Sequence, residues 1–311
     1  MSALFTEPVL TAFVLAVAAA AIPLMLAAAG EAVGEQAGML NIGIDGLMLV
    51  GGYSGFVATL STGSFWLGFL CGMLAGAALS CVSAVLCVRL GLNQIVVGIG
   101  IGLAGAGLSS LLYDANFADS KPRLGVPAPW VIPILSDIPV VGPGLFAQSG
   151  LFAASLAVVA LTALWLRRTL PGLRLRAAGQ SPASLDASGG NVTGVRAGAV
   201  LFGGAMAGLG GAYMTLVAAG TFTPGMTHGV GFLAIVVAML ARGSLLRVAF
   251  IAVAYGLCIA AGTALQLASV NIPTDAIHMV PFVVVIAALA CFPRRSALPP
   301  ALATPYVRGA R

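Results

Sequence analysis

Apolar residues run along this chain in nine long blocks, and the polar positions gather between them. The blocks are Pro8–Ala29, Met39–Leu60, Phe65–Arg89, Gln94–Tyr113, Gly150–Leu166, Ala197–Ala219, Val230–Ala241, Val248–Leu267 and Ile277–Phe292. A helix that crosses the hydrocarbon core needs about 20 predominantly apolar residues. Most blocks meet that length. Val230–Ala241 is too short to span unaided and would need Arg242–Leu245 to do so, and Met39–Leu60 carries polar residues near its start. The pattern therefore predicts eight to ten spans. Transmembrane β-strands would show alternation over roughly ten residues, which these blocks lack, and an open sheet cannot cross lipid. The predicted fold is an all-α, polytopic transmembrane helical bundle occupying residues 1–311 as one domain.

Composition agrees. Of 311 residues, 60% are hydrophobic and 7% charged, whereas a soluble domain carries about 25% charged residues. A soluble enzyme and a disordered chain are both excluded on that ground, and the expected surroundings are a lipid bilayer. The net charge of +5 does not indicate nucleic-acid binding, because the basic residues lie at the ends of apolar blocks and form no patch with interleaved aromatics. No basic residue precedes the first block, and Glu7 stands there instead. The block thus reads as a retained helix rather than a cleaved signal peptide. The five cysteines lie in or beside apolar blocks without a CxxC pair and read as packing residues.

Orientation follows from the arginines. From the third block onward, Arg89, Arg167, Arg168, Arg174, Arg176, Arg196, Arg242, Arg247, Arg294, Arg295, Arg308 and Arg311 fall on one side, with Lys121 and Arg123 on the other. The positive-inside rule makes the arginine-rich side cytoplasmic, and Asp114, Asp119, Asp137 and Asp275 then lie outside. Two connections are long. Residues 114–149 are extracytoplasmic and carry six prolines, which exclude a continuous helix; a rigid surface loop and a platform for an external partner are both open. Residues 167–196 are cytoplasmic. There Ser181 is placed to cap a short helix with Pro182 at its first position, Ala183–Ser188 as its body, and Gly189 and Gly190 as its stop.

Glycines at four-residue spacing (Gly68, Gly72 and Gly76; Gly98 and Gly102; Gly204 and Gly208) mark faces where helix backbones approach closely. Gly100, Gly102 and Gly105 also fit GxGxxG, but no strand precedes them, so the match is helix packing. There is no P-loop, no metal-ligand spacing around His228 or His278, and no nucleophile with an adjacent base. No cofactor and no catalytic residue is expected. The polar stretch Gly30–Gly46 enters the second block. If helical there, Asn41 and Asp45 share one face at four-residue spacing. An aspartate at the centre of a lipid-exposed helix costs about 2.5–3.5 kcal/mol, so Asp45 must face protein, a water path or the membrane rim. A capped helix start and a gate element are both open readings.

Two of these stretches carry a resemblance. Gly38-Met39-Leu40-Asn41-Ile42-Gly43-Ile44-Asp45-Gly46-Leu47-Met48-Leu49 resembles the G-x-L-N-I-G-I-E-G-x-M-L segment of ABC-importer permeases for simple sugars and nucleosides, within the ribose and branched-chain amino acid permease superfamily. Arg176–Gly179 through Asp186–Gly189 resembles that family's cytoplasmic coupling segment. Gly203–Ala212 is similar to its G-x-x-A-G-L-A-G-A helix, and Gly225–Ile235 to its M-T-x-G-x-G-F-I-A-L-A stretch. The likeness extends over about residues 30–290. Departures are Asp45 in place of Glu, His228 after the Met-Thr pair, and the more apolar Ile235-Val236-Val237.

The resemblance implies an ABC-importer permease in the bacterial cytoplasmic membrane. It further implies cytoplasmic ABC ATPase subunits on separate chains, a second permease subunit, and an extracytoplasmic substrate-binding protein or lipoprotein. Arg174, Arg176, Gly179, Asp186 and Gly189 are the candidate contacts for the ATPase. Asn41, Asp45, Asn93, Gln94, Thr221 and Phe222 are candidates for the substrate path, with Phe202 and Phe232 as further available rings. A nucleoside or simple sugar is the expected solute. A branched-chain amino acid permease is the rival within transport, and a structural membrane subunit or a secondary transporter the rival outside the class.

Overall fold

The computed structural model describes residues 7–118, 120–130, 136, 142–267, 279–280, 283–284 and 298–306. Ten helices follow one another along these residues: α1 Glu7–Gln36, α2 Ile44–Thr62, α3 Phe65–Ser83, α4 Gln94–Phe117, α5 Gly150–Arg168, α6 Leu170–Gln180, α7 Pro182–Ala187, α8 Val192–Tyr213, α9 Val230–Ala241 and α10 Leu245–Leu267. α3 and α8 each run on into a π-helical turn, Ala84–Arg89 and Met214–Ala219. Among the described residues, seven helices are long and apolar enough to cross a membrane, and α9 is apolar but short. The chain is thus a multi-pass membrane protein. All but residues 279–280 and 283–284 of the expected span Ile277–Phe292 lies outside the described residues, as do Asp119, Asp137, Asp275, His278, Cys291, Arg294, Arg295, Arg308 and Arg311.

α2 and α8 form the centre. In their most apolar windows 61% and 67% of the residues are buried, against 22% in α4. α3 packs against both of them, and α1 packs along α8 and α10. The glycine spacing explains how the backbones come so close. A Cβ on Gly72 would meet the Gly51 carbonyl at 2.8 Å, and one on Gly76 would meet the Gly208 Cα at 2.8 Å. One on Gly98 would meet the Ile42 amide nitrogen at 2.9 Å. Every one of the three predicted glycine pairs or triplets contributes such a contact. Outside this core, α3, α4, α5 and α10 present Trp66, Leu70, Leu74, Leu103, Leu111, Leu161 and Phe250 as exposed apolar side chains, as a lipid-facing surface requires.

The structure departs furthest from the sequence reading in three places. The first block does not stop at Ala29: α1 continues for two more turns to Gln36 and carries Glu31 and Glu35 with it, both 2% exposed. Polar character had suggested an interruption, but neighbouring helices enclose these turns. α8 begins at Val192 rather than Ala197, capped by Asn191 whose Oδ1 accepts from the Gly194 amide. Asn41 and Asp45 are not on one helical face. α2 begins only at Ile44, and Asn41 lies in the preceding turn, its Oδ1 accepting from the Gly43 amide at 3.0 Å.

The arginine-rich ends assemble at one face. The ends of α1, α5 and α9, the starts of α8 and α10, and the whole of α6 and α7 lie there. Gln36 Nε2 reaches the Gly243 carbonyl at 2.9 Å, and Arg167 Nη2 reaches Ser244 Oγ at 3.4 Å. Lys121 and Arg123 belong to the opposite face, where the Leu124 amide donates to the Gly220 carbonyl at 2.8 Å.

Candidate translocation site and coupling face

α9 has 12 residues, about 18 Å of helix at 1.5 Å per residue. Its C-terminal end lies at the arginine-rich face, so its first turn lies roughly halfway through a hydrocarbon core of about 30 Å. The link 220–229 fills the remaining depth from the opposite face. The start of α2 meets the start of α9 at that level. Asp45, the second residue of α2, accepts from Thr227 Oγ1 through Oδ2 at 2.9 Å and from the Gly231 amide through Oδ1 at 3.0 Å. Thr227 is 2% exposed, and a Cβ on Gly231 would collide with the Asp45 backbone. The contact therefore requires glycine at 231. Irregular backbone at membrane depth is tolerated only where protein or a water-filled cavity surrounds it. Here one carboxylate closes the orphan amide of one helix while sitting in the first turn of another. Asp45 is thus a helix-start residue, half-buried where α2 meets α9.

Toward the opposite face, about 12 Å further along α2, stands an aromatic cluster. Phe222, fully buried, meets Tyr53 edge-on with ring centroids 5.4 Å apart and Tyr113 at 5.5 Å. Phe117 joins Tyr113 at 5.5 Å and Phe56 at 5.7 Å. Tyr53 Oη donates to the Leu112 carbonyl at 3.0 Å and accepts from Asn116 Nδ2 at 3.0 Å. The rings stand between Asp45 and that face.

The other path candidates take separate places. Asn93 caps α4, its Oδ1 accepting from the Ile95 and Val96 amides at 2.9 and 3.3 Å. Gln94 is buried and ties the α1–α2 turn, accepting from the Leu40 amide at 2.8 Å and donating to Met39 Sδ at 3.6 Å. The Asn41 amide donates to Glu31 Oε1 at 3.0 Å. Thr221 Oγ1 donates to the Pro122 carbonyl at 3.1 Å, at the opposite face. Phe202 lines a crevice of about 360 Å³ with Trp165 and Arg174, and Phe232 is exposed. Asp45 and Phe222 lie on one line through the bundle, joined by the link 220–229; Asn93 and Thr221 sit at its two ends.

The coupling candidates share the arginine-rich face. α7 forms as its caps dictate: Ser181 Oγ accepts from the Ser184 amide, and Gly189 closes the helix at φ +82°. α6 precedes it, capped by Thr169 with Pro171 in its first turn. Arg174 is exposed, Arg176 and Asp186 are half-buried, and Gly189 is exposed with open space around it. Gly179 is different. It is buried, and a Cβ there would collide with the Gln36 carbonyl and stand 3.0 Å from the Gly38 amide. A cavity of about 450 Å³ opens beside it, lined by Glu35, Gln36, Arg176, Gln180 and Arg242.

Sequence reasoning missed five participants. Thr227 and Gly231 lie within the quoted Gly225–Ile235 stretch, and that stretch was the available signal. Glu31 and Glu35 were read as loop polarity, and Arg196 as an orienting surface charge; it is 3% exposed. No local pattern marks it.

The profile of the family described as "Branched-chain amino acid transport system / permease component" matches residues 13–289. The nucleoside ABC transporter permease protein NupC of Lactococcus lactis subsp. cremoris is 31% identical over 302 residues, 92% of this chain and 93% of its own. The guanosine ABC transporter permease protein NupQ of Bacillus subtilis is 32% identical over 94% of this chain and 95% of its own. TsgC13 of Haloferax volcanii, named as a candidate glucose ABC transporter permease, is 37% identical over 72% of this chain and 68% of its own. No solved structure matches the chain.

Proposed function

The chain belongs to the family of branched-chain amino acid transport system permease components, and on that premise we propose that it carries a nucleoside or simple sugar inward as the membrane subunit of an ATP-driven importer. The solute class rests on the full-length relatives named for nucleosides and on the glucose relative. ATP is hydrolysed on a separate chain that docks on α6 and α7. A second permease subunit completes the conduit, and a binding protein delivers solute to the opposite face. The arginine-rich face is then cytoplasmic, and segment 298–306 lies on that side of the inner membrane.

The observation that carries the path is the meeting of two helix starts at Asp45 about halfway through the membrane. Discontinuous helices with their ends at the midplane provide polar groups to a solute without exposing backbone to lipid. Asp45 and Thr227 supply hydrogen-bonding groups at that depth. The Tyr53, Tyr113 and Phe222 rings above them suit the flat faces of a base or sugar and close the path outward at rest. Asn41 and Gln94 hold the turn that sets where α2 begins.

The test is uptake into proteoliposomes holding this chain with its ATPase and binding protein. Unlabelled nucleosides or pentoses are expected to compete with labelled nucleoside, and leucine is not. Leucine uptake that nucleosides and sugars leave untouched would overturn the solute assignment. Uptake driven by an ion gradient with no ATPase present would overturn the importer.

A further inference from the structure

Segment 298–306 is tied down thoroughly. The Ala301 amide donates to the Gly179 carbonyl at 3.1 Å, and the Ala303 amide donates to the Gly38 carbonyl at 3.1 Å. Ala301 is 8% exposed. Tyr306 packs against the cluster of Ala178, Leu185 and Val192 that joins α6, α7 and α8. Thr304 Oγ1 turns back onto the Ala301 carbonyl at 2.8 Å.

Arg196 holds the arrangement from beneath. Its Nη1 donates to the Thr304 carbonyl at 2.7 Å, and its Nη2 lies 3.4 Å from the Ala301 carbonyl and 3.5 Å from the Ala178 carbonyl. A planar guanidinium offers five donors in a fixed fork, which a lysine ammonium cannot reproduce. The site is also sterically closed: a Cβ on Gly38 would stand 2.9 Å from both Arg196 Nη2 and the Ala301 carbonyl. Three parts of the molecule therefore meet on one arginine and one short segment: the C-terminal end of α6, the start of α8, and the turn between α1 and α2. That turn leads from Gly38 directly to Asp45.

We propose that segment 298–306, seated on Arg196, fastens α6 and α7 to the α1–α2 turn, so that a displacement of the coupling helices is delivered to Asp45 and the start of α9. Without it, the close contact of Gly179 with Gln36 and Gly38 stands without the segment's hydrogen bonds. Arg196 is a positioning residue: it acts through the segment and touches no solute. The inference rests on the reading that α6 and α7 receive the ATPase.

The experiment uses the complete transporter in proteoliposomes and reads solute uptake and ATP hydrolysis in the same preparation. Three changes are compared: the chain ended before Leu298, Ala303→Pro, and Arg196→Gln with Arg196→Lys beside it. Ala303→Pro removes the amide that reaches Gly38 and cannot adopt the φ of +58° found there, while leaving every membrane helix unchanged. The expected result is an assembled complex whose ATP hydrolysis persists but whose solute moved per ATP falls about tenfold, a typical allosteric coupling. Arg196→Lys should recover part of the ratio lost in Arg196→Gln. An unchanged ratio in the shortened chain and in Ala303→Pro would overturn the proposal. So would parallel loss of assembly, hydrolysis and uptake in Ala303→Pro, because that marks a merely structural role. Failure of the underlying reading looks different: the unaltered transporter itself would then show no ATP hydrolysis that responds to loaded binding protein.

Discussion

The Asp45 contacts permit a quantitative test by a double-mutant cycle of Asp45→Ala with Thr227→Val. Asp45→Ala removes both acceptors and strands a buried hydroxyl and the buried Gly231 amide. Each stranded group costs about 1–3 kcal/mol on the soluble scale. Hydrogen bonds between membrane helices average nearer to about 0.6 kcal/mol and reach about 1.7, because the unfolded state in the membrane also finds partners. The membrane figure governs here, so Asp45→Ala is expected to cost about 1.5–3 kcal/mol. Thr227→Val loses one bond, about 1 kcal/mol, and the coupling energy between the two sites should be about 1 kcal/mol. Asp45→Asn is the control. Its amide nitrogen can donate to Thr227 Oγ1 while its oxygen still accepts from Gly231, so both contacts survive at well under about 1 kcal/mol. Equilibrium unfolding in mixed detergent micelles measures all four variants. Additive single-site effects, with coupling below about 0.3 kcal/mol, would refute the contact. Asp45→Asn as damaging as Asp45→Ala would refute the hydrogen-bond account.

Gly179→Val should destabilise the protein by about 1–3 kcal/mol through overpacking against Gln36, and thermal unfolding of the solubilised chain measures it. Gly189→Val has open space and meets only the left-handed backbone penalty, about 1–2 kcal/mol; if it proves costlier than Gly179→Val, the account of the coupling face is wrong. Phe222→Ala empties a fully buried ring site and should cost about 3–5 kcal/mol. In proteoliposomes without ATP it should also raise passive solute leak, whereas Phe222→Leu should not; a tight Phe222→Ala vesicle would remove the aromatic closure from the path. A cysteine at the exposed Ser184, in a chain whose own cysteines are replaced, should react with impermeant reagent only from the cytoplasmic side. Labelling from outside intact cells would reverse the orientation.

Much of this architecture is written in local pattern. Block length and apolarity marked the long helices, the Ser181–Pro182 start and the Gly189 stop marked α7, and glycine spacing marked the faces of α3, α4 and α8 that touch. The limits of reading by eye follow from what local pattern omits. Glu31 and Glu35 looked like loop residues because nothing in their neighbourhood says that α8, α9 and the α1–α2 turn will close around them. Asp45 was legible as a residue that must avoid lipid, but its partners stand 182 and 186 positions away. Asn93 carries a helix cap's chemistry as much as a path residue's, and composition does not separate the two. Arg196 was the hardest case, since eleven other arginines assigned to the same side support the surface reading that its burial contradicts.

Close glycine contacts also restrict where this molecule can bend. α2, α3 and α8 touch backbone to backbone at Gly51, Gly72, Gly76 and Gly208, which leaves little side chain there that could slide or repack. They should consequently travel as one slab during a transport cycle. Whatever opens and shuts must be absorbed by chain that is not helical, and two such pieces meet at one place: residues 37–43 ahead of α2 and residues 220–229 behind α8. Both arrive at the same carboxylate, which makes Asp45 the natural pivot.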